Sequence, residues 1–149
     1  MIEILKRNKR IEIEKVLKEK FGINIPFKYH LIKTGKGKLR IFTGHLPPHD
    51  LIILDKLLNI ETLGLYFAFF KNKELRLSFD SAVLFGKNAK NIIELNESET
   101  KKWLQGHDIE KKSNIIDYII VKHNSDVLGC GKATEKKILN FVPKERRIL

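Results

Sequence analysis

Cysteine is nearly missing from this sequence: Cys130 stands alone among 149 residues. An internal disulfide framework is therefore excluded, and a single thiol fits a reducing compartment. Long hydrophobic runs are missing as well. The longest wholly apolar stretch, Leu63 to Phe70 with Gly64 inside it, is far too short to cross a bilayer as a helix. The opening residues, Met1-Ile-Glu-Ile-Leu-Lys-Arg, become charged too early for the apolar core of a secretory signal. A soluble, cytoplasmic protein with no membrane association is expected. No internal repeat, low-complexity tract or coiled-coil heptad pattern runs through the chain.

Recognisable sites for small-molecule chemistry are also wanting. No glycine-rich strand-to-helix turn of the kind that binds a nucleotide or methyl-donor cofactor is present. Gly35-Lys-Gly-Lys38 has two glycines and two lysines but lacks the length and the Lys-Ser/Thr ending of a phosphate-binding loop. His30, His45, His49, His107 and His123 are scattered. His45 and His49 are four apart, yet Pro47-Pro48 between them blocks the helical geometry that would aim both imidazoles at one metal. Cys130, between Gly129 and Gly131, reads as a small buried residue. The carboxylates are interspersed with lysines, which describes solvated ion-paired faces rather than a general acid/base pair. Neither catalytic residues, a metal nor a cofactor are expected.

What the chain does have is positive charge. Its net charge is +11, and its pI of about 9.7 is in the range that points to nucleic acid. The distribution is uneven. Residues 1–40 carry 12 basic and 4 acidic side chains, net +8; residues 41–131 are net −1; residues 132–149 carry 6 basic and 2 acidic, net +4. If the fold joins the two ends, they make a single field that attracts polyanions. In the tail, Lys136, Lys137, Lys144, Arg146 and Arg147 fall within twelve residues, interleaved with Asn140, Phe141 and Pro143. Guanidinium forks and ammonium groups both pair with phosphate oxygens. Phe141 is read as core packing, with base stacking as its other use. Lys36, Lys38 and Arg40 offer a secondary set of phosphate contacts.

Hydrophobic residues at 42% and charged residues at 32% support a packed core. A helix is predicted over 8–21, where Ile13, Val16, Leu17 and Phe21 recur at helical spacing and Gly22 stops it. Strands at 27–33 and 38–43 make a hairpin around Thr34-Gly-Lys-Gly37. Pro47-Pro48 opens a helix over 48–59, rich enough in Leu and Ile to be buried on more than one side. Strands follow at 63–70 and 75–79, then a short helical turn from Ser81 to Phe85. Gly86-Lys-Asn-Ala89 is the expected boundary between units 1–87 and 88–149. The second unit opens with a strand, Asn91 to Leu95. Asn96 and Glu99 have capping-box spacing, so a helix should run from 97 to 105 and stop at Gly106. Strands at 116–122, 126–132 and 136–141 complete it.

Trp103-Leu-Gln-Gly-His-Asp-Ile109, Tyr118-Ile-Ile-Val and Leu128-Gly-Cys-Gly-Lys132 resemble the PUA domain, a small mixed β-barrel with a glycine closing its helix. The ending, Lys137-Ile-Leu-Asn-Phe-Val-Pro-Lys-Glu-Arg-Arg147, is similar to the PUA-like C-terminal domain of NOL/NOP/Sun RNA cytosine-5 methyltransferases. Ile60-Glu-Thr-Leu-Gly64, the aromatic run to Phe70, Leu75-Arg-Leu77 and Leu84-Phe85 resemble the pre-PUA half of the Nip-seven ribosome-assembly family. The resemblance implies an α+β protein: an N-terminal mixed α/β pre-PUA unit followed by a small C-terminal PUA-type β-barrel. It implies RNA binding, to rRNA or tRNA, through Lys101, Lys102, Gly106, Lys132, Lys136, Lys137, Lys144, Arg146 and Arg147. These residues contain no methyltransferase catalytic domain, so no methylation activity is implied. A methyltransferase or ribosome-assembly factor is the expected protein partner. Two rivals remain: a protein-interaction subunit docking through Tyr66 to Phe70, and a small RNA-modifying enzyme using His107, Asp108 or Cys130.

Overall fold

A computed structural model describes residues 1–26 and 28–149; of the strand expected over 27–33, position 27 lies outside the described residues. The N-terminal unit is built on helix α1 (Arg7–Phe21) and a five-stranded antiparallel sheet of β1 (Glu3–Ile4), β2 (His30–Thr34), β3 (Lys38–Phe42), β4 (Leu65–Lys71) and β5 (Glu74–Leu77). The strands lie side by side in chain order, a meander whose alternate turns share an end. Helix α1 follows its apolar stripe. Ile13, Leu17 and Phe21 are fully buried against Leu31, Leu39 and Ile41, and Gly22 closes the helix in the left-handed region. Burial of each such side chain contributes roughly 1.5–3 kcal/mol of transfer free energy.

The opposite face of the sheet meets α2 (Pro48–Leu58), and here the outcome differs from the sequence reading. Only Leu51 and Asp55 of α2 are buried; Leu57 and Leu58 are 74% and 69% exposed, with Ile52 and Ile53 at 42% each. Apolar content marked the helix as interior, but its attachment is narrow. Leu51 seats on Ile2 and Ile32, and the Asp55 carboxylate accepts the Ile2 and Ile60 backbone N–H groups at 2.9 and 3.0 Å. Of the aromatic run proposed as a docking face, Tyr66 and Phe69 are half-buried and the rest is interior. Phe67, Ala68 and Phe70 are core residues, because one face of β4 packs against α1.

Helix α3 (Phe79–Phe85) is longer than the single turn expected, since the Ser78 hydroxyl caps it by accepting Ser81 N–H at 3.1 Å. A 3₁₀ turn at Gly86–Asn88 leads to β6 (Ile92–Glu94), α4 (Glu97–Leu104), β7 (Tyr118–His123), β8 (Asp126–Ala133) and β9 (Ile138–Asn140); a last 3₁₀ turn spans Lys144–Arg146. The four strands form one sheet in order β6-β7-β8-β9, with β6 parallel to β7 and the other pairs antiparallel. The fold class is therefore α+β, with a small β-unit at the C-terminal end. That β-unit is not a closed barrel. β6 and β9, of three residues each, are the two edges and do not pair with one another, and an isolated bridge from Ile109 to Ile138 extends the β9 side.

A helix fills the open side instead. Trp103 of α4 is fully buried among Ile119, Val121, Leu128, Ile138 and Val142, and its indole N–H donates to Leu128 O at 2.9 Å. The Gly129-Cys-Gly131 stretch of β8 makes this closeness possible. A Cβ on Gly131 would come within 2.7 Å of Trp103, and one on Gly129, at φ +114°, within 3.0 Å of Phe79. The largest apolar cluster runs from Ile13 through Phe67 to Ile120 and Cys130, so the two units share a core across the 86–89 connection.

Candidate nucleic-acid interface

Helix α4 is fixed by contacts at both of its ends. Its start carries the full capping box: Asn96 Oδ1 accepts Glu99 N–H at 2.8 Å, and Glu99 Oε2 accepts Asn96 N–H at 2.9 Å. Burial alone would raise the Glu99 carboxyl. The Asn96 backbone N–H, Lys111 at 3.1 Å and Lys102 outweigh that and hold it below the usual carboxylate range. At the far end Gly106 adopts φ +94°, with its N–H on Trp103 O at 3.0 Å. A Cβ there would collide with the Arg147 side chain, so the glycine both turns the chain and seats the guanidinium.

Asn140 organises this region, and the sequence reading gave it no role. Its Nδ2 donates to Trp103 O at 2.7 Å and His107 O at 2.9 Å, while its Oδ1 accepts Val142 N–H at 2.8 Å. Its own N–H donates to Asp108 Oδ1 at 2.8 Å. One amide thereby ties β9, the turn after α4 and the tail. The tail then returns to the helix through Ile148 N–H on Leu104 O at 3.0 Å. The only sequence signal was a polar residue in an apolar strand, where an amide needs partners.

The proposed contact residues fall into distinct places. Lys101, Lys102, Gly106 and Arg147 belong to the α4 end and the tail segment laid against it. Lys136 and Lys137 lie in the β8–β9 turn, with Lys137 on Asp108 at 3.4 Å. Arg146 is drawn away to Asp80 at 2.8 Å and lies over the Phe79 ring, fastening the tail to α3. Arg147 Nε donates to Val142 O at 3.1 Å. Lys132 sits apart, 5.0 Å over the Tyr118 ring. Lys101, Lys136 and Lys144 are exposed, and no ion pair involves them among the described residues.

The N-terminal cations collect elsewhere. Lys6, Lys9, Lys33, Lys36, Lys71 and Lys73 line an open cavity of about 810 Å³ at the hairpin tips, together with Glu3 and Glu12. Lys9 pairs with Glu12 and Lys33 with Glu3. The single joined field expected of the two chain ends is thus two basic zones on different elements. Lys71 and Lys73 were not singled out, although the meander places their turn at the same end as Lys36. Of the secondary set, Lys36 is on the cavity rim, Lys38 is exposed beside Phe69, and Arg40 is occupied by the Leu63 and Gly64 carbonyls.

Two of the three residues named in the rival enzyme reading, Cys130 and Asp108, are engaged in the fold, while the His107 side chain is exposed. Cys130 is buried, and burial pushes its thiol up to about 12. Asp108 is taken by Asn140 and Lys137. Among the described residues no group of three or more His, Cys, Asp or Glu is placed to hold a metal ion, and no helix is long and apolar enough to cross a membrane.

Comparison with curated proteins finds no match. Residues 90–148 match the family model described as the methyltransferase RsmF PUA domain, so the segment from β6 through the tail is similar to a methyltransferase PUA domain.

Proposed function

We propose that this protein binds structured RNA, rRNA or tRNA, through the basic surface around α4, the β8–β9 turn and the tail, and serves ribosome biogenesis or RNA modification in the cytoplasm without catalysing a reaction itself. The observation that carries the reading is the PUA match over 90–148, laid on a segment where the exposed Lys101, Lys136 and Lys144 are in no ion pair among the described residues. The chemistry is phosphate contact at a rim shaped by the Gly106 turn. A-form RNA hides its major groove, so phosphates, 2′-hydroxyls and unpaired ends are what such a rim meets.

The test is a filter-binding titration of Lys101→Ala, Lys136→Ala and Lys144→Ala combined. These side chains have no carboxylate partner, so the fold should persist, as circular dichroism will check. Affinity for a structured rRNA fragment should fall by roughly tenfold, and the slope of log K against log salt should shrink by about 2 to 3. Unchanged affinity in the folded variant refutes the reading. A second reading, a protein-interaction subunit of an RNA methyltransferase or ribosome-assembly complex, is favoured by one observation: the exposed Ile52, Ile53, Leu57 and Leu58 of α2. If the wild-type chain retains no RNA in the same titration, that second reading takes its place.

A further inference from the structure

Between the two basic zones runs a row of alternating rings and cations that crosses from one sheet to the other. It starts at Lys38, whose cross-strand neighbour on β4 is Phe69. Phe69 pairs with Arg76 of β5, and the guanidinium lies 5.6 Å from the Phe69 ring centre. The same guanidinium lies 4.5 Å over Phe141, in the tail. Phe141 stands 6.0 Å from Tyr118 of β7, at a tilt of 52°. Tyr118 pairs with Lys132 of β8, whose ammonium is 5.0 Å over the ring.

Three properties separate this row from ordinary core. Phe69, Arg76, Phe141, Tyr118 and Lys132 are all half-buried, and Lys38 is exposed, so the row is a surface feature. No ion pair involves Lys38, Arg76 or Lys132 among the described residues, and the nearby Asp117 carboxylate is taken by Lys20 at 2.8 Å. The rings are also set in place. A Cβ on Gly37 would come within 2.9 Å of Phe69, so that ring lies directly on backbone, while the Arg76 guanidinium contacts both Phe69 and Phe141.

We propose that the row Lys38–Phe69–Arg76–Phe141–Tyr118–Lys132 is a binding track for a single-stranded RNA segment, its bases stacking on the three rings and its phosphates meeting the three cations. Rings accept any base because every base has a π face, and interspersed cations neutralise the backbone. A duplex keeps its bases stacked on one another and has none to offer the rings. The inference rests on the RNA-binding reading and deepens it: the rim takes the structured part of an RNA, and the row takes an unpaired extension of it. The Arg76–Phe141 contact also ties β5 to the tail, so the experiment must separate the two roles.

Phe69→Leu with Phe141→Leu keeps apolar bulk and removes two stacking faces. The measurement is fluorescence anisotropy with two probes, a short unstructured RNA oligonucleotide and a blunt RNA duplex, with melting temperature recorded alongside. Loss of about tenfold or more in single-strand affinity, with duplex affinity unchanged, is the expected result. Equal loss on both probes, or no loss on either, overturns the track and leaves RNA binding standing. Wild-type binding to neither probe overturns both. Should the double variant fail to fold, Lys38→Gln with Lys132→Gln leaves the rings in place. It must lower single-strand affinity and its salt dependence more than duplex affinity, and the opposite ranking refutes the track.

Discussion

The two basic zones differ in what their charges are doing. At the hairpin tips of the N-terminal sheet, Lys9 and Lys33 of the open cavity are paired with Glu12 and Glu3, but Lys6, Lys36, Lys71 and Lys73 on the same cavity are in no ion pair among the described residues. In the tail the arginines are part of the scaffold. Arg146 bridges to Asp80, and Arg147 is wedged over Gly106 and bonded to Val142 O. Counting cations by segment treats these as equal, yet a guanidinium that already holds the fold is less available to a ligand than an unpaired ammonium. Arginine suits fixed forks and lysine suits mobile point charges, and this chain uses each in that way. The comparison can be tested by removing the scaffold, the fixed charge and the helix-cap support in turn.

The largest effect should come from the scaffold. Asn140→Ala removes three side-chain hydrogen bonds, to Trp103 O, His107 O and Val142 N–H. At roughly 0.5–1.5 kcal/mol each, the loss should be about 2–3 kcal/mol by urea unfolding. Because the same amide places the α4 turn against the tail, RNA affinity should fall together with stability, at temperatures where the variant is still folded. Full affinity in a destabilised Asn140→Ala would mean that the α4 end and the tail need no fixed geometry to work.

A smaller effect tests the fixed charge directly. Arg146→Ala breaks an ion pair whose partners are 51% and 40% exposed, so its stability cost should stay near or below about 1 kcal/mol. Its RNA affinity should change less than that of Lys144→Ala, two residues earlier and unpaired. If Arg146→Ala weakens RNA binding more than Lys144→Ala does, the Asp80 bridge is not holding that arginine away from ligand, and the division into scaffold and free charge is wrong.

Local signals in the sequence translated well into structure, and distant ones did not. The Asn96–Glu99 capping box, the Gly106 helix end and the stripe of Ile13, Leu17 and Phe21 each depend on residues within a few turns. Gly129 and Gly131 were visible as oddities of a strand. Their reason was not, because Phe79 and Trp103 reach them from other elements. Helix α2 was misread because apolar content reports what a helix is able to bury, not what covers it; only Leu51 found a partner across the sheet. Asp80 and Arg146, 66 residues apart, carry no mutual signal in sequence. The lysine turns at 36 and 71–73 were within reach, since a meander sends alternate turns to one end, but using that rule required the strand order first.

The smallest effect concerns the support beneath the rim. Glu99 closes the capping box and accepts from Lys111, whose ammonium also reaches Glu94 O at 2.9 Å. Burial raises its carboxyl, but the Asn96 N–H, Lys111 and Lys102 lower it further, so the folded value lies below the unfolded one. A carboxylate lowered by folding contributes stability that is fully present above its unfolded pKa and is lost as pH falls through its folded pKa. Stability measured from neutral pH down through the carboxylate range should therefore decline, and Glu99→Gln should be less stable at neutral pH with a flatter acid limb. Glu99 lies on the first turn of α4 and Lys101 on its last, so a frayed α4 start should soften the rim only indirectly. RNA affinity of Glu99→Gln at neutral pH should drop far less than that of Asn140→Ala. An equal drop would move the organising centre of the interface from the amide on β9 to the capping box at the other end of the helix.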